Sequence, residues 1–146
     1  MMAIFNVFPL VLIPVLIYNI WAFGATAGGD SGAAVRDHLY NREEPMFQVA
    51  MASGADWVVT FGDALIFLSI VLLFIEMVKS SSTHSAMIFN HALSMLVFII
   101  CLIEFLLVPA FSTSVFFIIM AMALLDVLAG VVVTIISARR DVGYQA

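Results

Sequence analysis

Four carboxylates, Asp63, Glu76, Glu104 and Asp126, stand in or at the edge of long runs of Leu, Ile, Val and Phe, and of the five Lys+Arg residues only Lys79 lies near one of them. A charged side chain at mid-bilayer costs at least ~2.5–3.5 kcal/mol, so such groups turn inward and find partners. Asn90, His91, Ser94 and Thr134, on the same runs, offer donors and acceptors. Carboxylates and a histidine at successive depths can do three kinds of chemistry. They can sit protonated and hydrogen-bond to Asn90, Ser94 or Thr134. They can bind a cation or relay protons. Or they can pair with a transmembrane Lys or Arg of a partner.

Spacing orders these groups in depth. At about 1.5 Å per residue, Asp126 falls at the middle of its run, with Asp63 roughly 7 Å and Glu104 roughly 10 Å toward one side. His91 falls about 10 Å toward the other side, with Glu76 slightly deeper. At ~100° per residue, Asn90, Ser94, Cys101 and Glu104 share one helix face, with His91 beside it. Ala123, Asp126, Gly130 and Thr134 share another, and its small residues permit close helix approach. These two stripes are expected to face each other, with Asp63 nearby and Phe67, Ile70 and Phe74 filling the space around it.

Simpler roles compete at several positions. Glu76 and Lys79, spaced i,i+3, read as a snorkelling pair at the membrane edge. His91 reads as a hydrogen-bonded packing residue, Cys101 as a small apolar filler and His84 as a loop residue. Asp126 alone has no simple structural role. A bis-His haem b within this chain is not expected, because His84 and His91 lie on one helix. Nor is a metal site, because ~20 Å of depth separates His91 from Glu104. The chain has no phosphate-binding glycine loop, nucleophile elbow or HExxH, so no catalytic residue is assigned.

The elements that must position these groups follow from composition. The chain has 146 residues, 64% hydrophobic and 10% charged, which excludes an ordinary soluble domain. Its mean hydropathy is +1.18. With 5 Lys+Arg against 10 Asp+Glu there is no basic patch for nucleic acid. A single cysteine excludes an intramolecular disulfide. Four apolar runs, at about 3–23, 57–78, 85–108 and 114–138, are each long enough to cross a ~30 Å hydrocarbon core as a helix. The fold class expected is therefore an all-α integral membrane protein: one transmembrane domain of four helices in an antiparallel up-down-up-down bundle. Short links at 79–84 and 109–113 join the last three runs, with Pro109 closing one helix and Ser112 or Ser114 capping the next.

The first run holds Asn6, Pro9, Pro14 and Asn19, which suggests a kinked helix. Ala25-Thr26-Ala27 resembles a signal-peptide cleavage site. The run exceeds the usual 7–15 residues and no Lys or Arg precedes it, so a retained helix is expected. The outer loop, 24–56, begins with the flexible GATAGGDSG. It continues into a short amphipathic helix over 33–44, with Val35 and Leu39 at helical spacing and Asp30 or Ser31 as its cap. Lys79, Arg139 and Arg140 on one side outweigh Arg36 and Arg42 on the other. Both termini are therefore expected in the cytoplasm and loop 24–56 outside, with Trp21 and Trp57 together at the outer interface.

Two functions compete on these grounds. One is a non-enzymatic accessory, assembly or scaffolding subunit that sits in the lipid bilayer and associates with other membrane subunits or with itself. The alternative is a homo-oligomeric proton- or cation-coupled transporter or channel with a carboxylate/His relay. For either, the candidate site comprises Asp63, Asn90, His91, Glu104 and Asp126, with Glu76, Ser94 and Thr134 in support.

Overall fold

A computed structural model of the chain describes residues 8–26, 32–79 and 84–143. The expected start of the first run, Asn6, Ala27, and the caps Asp30 and Ser31 lie outside the described residues, as do the side chains of His84, Thr134, Arg139 and Arg140. In chain order the elements are α1 (Leu12–Thr26), α2 (Ala33–Tyr40), strands β1 (Phe47–Ala50) and β2 (Asp56–Val59), α3 (Phe61–Lys79), α4 (His84–Leu107), a 3₁₀ turn (Pro109–Phe111) and α5 (Ser114–Gly143).

Among the described residues, three stretches are long and apolar enough to cross a membrane: Phe61–Lys79, Phe89–Leu107 and Ser114–Val133, of 19, 19 and 20 residues. At about 1.5 Å per residue each spans close to the ~30 Å of a hydrocarbon core. Helices are the form in which such a segment satisfies its own backbone hydrogen bonds without water. Among the described residues, the first apolar run is helical only from Leu12. The Leu12 N–H donates to the Pro9 carbonyl at 3.1 Å, and the apolar part of the helix is Leu12–Gly24.

The second span also starts later than its apolar run suggests. Residues 56–59 form β2, which pairs antiparallel with β1 in the register Phe47↔Val59 to Ala50↔Asp56. Gly54 makes the turn possible: its φ is +82°, a conformation that strongly favours glycine. The helix begins after Thr60 because Thr60 and Asp63 cap it reciprocally. Thr60 N–H and Oγ1 donate to Asp63 Oδ2 at 3.0 and 2.9 Å, and Asp63 N–H returns to Thr60 Oγ1 at 3.3 Å. This is a capping box, T-x-x-D, placed where the chain turns from strand to helix.

The α2 helix covers only 33–40 of the expected stretch. It buries Val35 and Leu39 against the core instead of lying free on the surface. The contact at Gly62 is close: a Cβ there would stand 2.9 Å from the Leu39 carbonyl oxygen and 2.8 Å from Val115 Cγ2. Beyond α2, Asn41 Oδ1 accepts the N–H groups of Glu43 and Glu44 and turns the chain away.

The core runs between α1, α4 and α5 and contains Val15, Tyr18, Val97, Cys101, Phe111, Phe116 and Ile119, each at most 4% exposed. Helices α4 and α5 run antiparallel, with Ser94 bonded to Asp126 and Phe105 against Phe117. At the turn between them the expected caps, Ser112 and Ser114, give way to Thr113, whose Oγ1 accepts the Phe116 N–H at 3.1 Å. Tyr18 explains the choice. Its hydroxyl bonds Thr113 Oγ1 at 2.7 Å and donates to the Ala110 carbonyl at 3.0 Å, so α1 locks the cap. Ser114 instead donates its N–H to the Tyr40 hydroxyl, tying α2 to the start of α5.

Candidate functional site

The polar residues separate into three places. The largest group surrounds Glu76, a fully buried side chain on the last turn of α3. Its Oε2 accepts the Leu10 N–H at 2.9 Å and Lys79 Nζ at 3.0 Å, and its Oε1 accepts Asn90 Nδ2 from α4 at 2.5 Å. Lys79 also donates to the Phe8 carbonyl at 3.0 Å. The Leu10 N–H belongs to the first turn leading into α1, where helix N–H groups have no intrahelical acceptor and anions are favoured. Glu76 therefore caps a helix 66 residues away. The Glu76–Lys79 pair is no surface snorkelling pair: Lys79 is 17% exposed and Glu76 not at all.

One turn along α4, Ser94 Oγ donates to Asp126 Oδ2 at 2.5 Å, and Asp126 is 7% exposed. Among the described residues, Glu76, Lys79 and His91 are the charged or titratable groups within electrostatic range of Asp126. The His91 ring lies across Gly130, close enough that any Cβ there would collide with it. Two buried polar atoms in this group, Asn90 Oδ1 and His91 Nδ1, have no hydrogen-bond partner among the described residues.

The second place holds Glu104, half-buried in the last turn of α4, where its Oε2 accepts Asn19 Nδ2 at 3.2 Å. The same amide also donates to the Val15 carbonyl, at 3.1 Å. Val97, Cys101, Ile119 and Ala123, all buried, separate this pair from Ser94 and Asp126. The third place is Asp63, which is exposed and engaged in its helix cap. The face it shares with Phe67, Ile70 and Phe74 turns outward, these three being 69%, 50% and 67% exposed, so they do not fill an interior space. Asp63, Phe67 and Ile70, with Phe47, Trp57, Val59 and Ile66, border a groove of about 560 Å³ between the hairpin and α3.

Of the eight residues singled out by type and spacing, the structure gathers Glu76, Asn90, His91, Ser94 and Asp126 and separates Glu104 and Asp63 from them. The eighth, Thr134, lies outside the described side chains. Among the described residues, no three His, Cys, Asp or Glu side chains are placed to hold a metal ion together. Sequence reasoning missed the parts of the network contributed by backbone, the Leu10 N–H and the Phe8 carbonyl, because a chain-distant N–H carries no mark in its residue type. It also missed the Asp63 cap, although T-x-x-D before an apolar run is its signature. Trp21 stacks on His38, with ring centroids 5.1 Å apart, while Trp57 packs edge-on to Phe47 in the hairpin.

Fold and site together define a mostly helical protein with helices long and apolar enough to cross a membrane, in which Glu76, Asn90, Ser94 and Asp126 are gathered out of solvent. Compared with protein-family models, curated proteins and solved structures, the chain finds no match.

Proposed function

We propose that the chain is a non-enzymatic accessory, assembly or scaffolding subunit of a larger membrane complex. In this reading it is a four-span bundle of up-down-up-down topology, with both termini cytoplasmic and residues 24–56 outside. The contacts of α1 support the fourth span: Leu10 meets Glu76 at one end of α3, and Trp21 meets Phe61 at the other.

The observation that carries the reading is the internal use of the acids. Glu76, Glu104 and Asp126 each bond a side chain of another helix, and a buried apolar layer separates the inner group from the outer pair. Carboxylates arranged this way lock helices together. Asp63 differs, since it stays on the outside beside an apolar groove, a surface suited to a partner helix that carries a Lys or Arg. The test is extraction from the native membrane in mild detergent with a C-terminal tag. A stoichiometric membrane partner is expected, and a chain that elutes alone sinks the proposal.

A second reading, the proton- or cation-coupled homo-oligomeric transporter, draws on the two unpartnered buried atoms, Asn90 Oδ1 and His91 Nδ1. Reconstituted vesicles test it. A flux that disappears in Asp126→Asn supports it, and no flux in the unmodified protein removes it.

A further inference from the structure

The group around Asp126 has more acceptors than donors. Glu76 is matched by Lys79, and its two oxygens take three donors. Among the described residues, Asp126 takes one donor, the Ser94 hydroxyl, and the cations within its electrostatic range are Lys79, already bound to Glu76, and His91 if protonated. One turn away, Asn90 is 93% buried, its Nδ2 is held by Glu76, and its Oδ1 has no donor. Reversing the amide gives no relief, because Oδ1 would then face the Glu76 carboxylate. His91 Nδ1 is a further acceptor when the ring proton sits on Nε2. Positions 90 and 94 are neighbours on the surface of α4, about 5–6 Å apart at Cβ.

We propose that Asp126, Ser94 and Asn90 Oδ1 bind a monovalent alkali cation in the interior of the bundle. The donor set is all oxygen, from a carboxylate, a hydroxyl and an amide, which suits hard cations and not thiophilic or imidazole-seeking metals. The charge sets the valence: Glu76 is paired with Lys79, so with Asp126 ionised a single positive charge neutralises the site. Carbonyl and amide oxygens can replace the hydration shell of such an ion, as they do in membrane filters. A bound water would satisfy Asn90 and a proton would neutralise the carboxylate, whereas one monovalent cation does both.

The site belongs to the isolated chain, so its test is independent of any partner. The full chain, in detergent or nanodiscs at one pH, is unfolded thermally in NaCl, KCl or LiCl and in N-methyl-D-glucamine chloride of equal ionic strength. At an alkali concentration a hundredfold above Kd the melting temperature is expected to rise by about 5–10 °C and to saturate. Asp126→Asn and Asn90→Val should each flatten that response, and Glu104→Gln should keep it. If Asp126→Asn does not fold, Asn90→Val decides, since it removes the orphan oxygen without altering charge. It also removes the Nδ2 donor to Glu76, but that loss lowers stability alike in every chloride, whereas the readout is the difference between chlorides. Equal melting in all four chlorides overturns the proposal. So does a response that survives Asn90→Val, or a stabilisation that follows pH alone and marks a proton instead. A chain that elutes without a partner leaves the cation site standing, and a chain without cation response leaves the subunit reading standing.

Discussion

Replacing Glu76 with alanine tests whether the inner group holds the bundle together. The substitution removes an acceptor from three donors, the Leu10 N–H, Lys79 Nζ and Asn90 Nδ2, at a position with no solvent access. Lys79 keeps the Phe8 carbonyl and some exposure, so the larger losses fall on the other two. An orphaned buried donor costs about 1–3 kcal/mol, and breaking a buried ion pair from one side about 3–5 kcal/mol. The expected loss is therefore about 3–5 kcal/mol, a large share of the roughly 5–15 kcal/mol that holds a typical domain folded. Reversible unfolding by SDS titration, followed by circular dichroism, measures it. A double-mutant cycle with Lys79→Met should give a coupling of about 1–3 kcal/mol, against 0.2–1 kcal/mol for an exposed pair. If Glu76→Ala costs less than about 1 kcal/mol and the coupling vanishes, Glu76 is a surface residue and the reasoning is refuted.

Other outcomes follow from single contacts. Tyr18→Phe strips the hydroxyl from the Ala110 carbonyl and the Thr113 cap, and should cost about 1–3 kcal/mol in the same unfolding assay. Gly62→Val drives side-chain atoms toward the Leu39 carbonyl and Val115; a loss of at least about 1–3 kcal/mol is expected, and unchanged stability would mean that α2 does not pack there. Gly130→Ala forces the His91 ring to move, which histidine side-chain NMR shifts should register while far-UV circular dichroism stays constant. Asp63→Asn keeps an oxygen for the Thr60 cap but loses the charge; the proposed basic partner should dissociate from it with a stability change below about 1 kcal/mol.

Helical character was legible wherever it depended on composition over ~20 residues, because transfer into lipid is a sum over many side chains. The meeting of Ser94 and Asp126 was legible too, since helical spacing assigns a polar residue to a face and cost drives that face inward. Residues 56–60 were not. Trp57, Val58 and Val59 add apolar weight to the run that follows, and hydropathy does not distinguish a strand entering a helix from the helix itself. The decisive signal was local, Thr60 followed by Asp63 three residues on. Glu76 was misjudged for another reason. Its i,i+3 neighbour Lys79 is visible in sequence, whereas Leu10 and Asn90 reach it only through the tertiary fold. Asn19 and Glu104 are of the same kind, 85 positions apart and joined by packing.

The bond from Leu10 to Glu76 also orders events in time. A ribosome adding about 5–20 residues per second releases Leu10 some 3–13 s before Glu76, given 66 positions between them. Asn90, which completes the carboxylate's shell, follows 14 residues later. Through that interval the first apolar segment is without its lock. The nascent chain therefore passes through a stage in which α1 is made but not tied to α3, and only synthesis of the α3–α4 pair ends it.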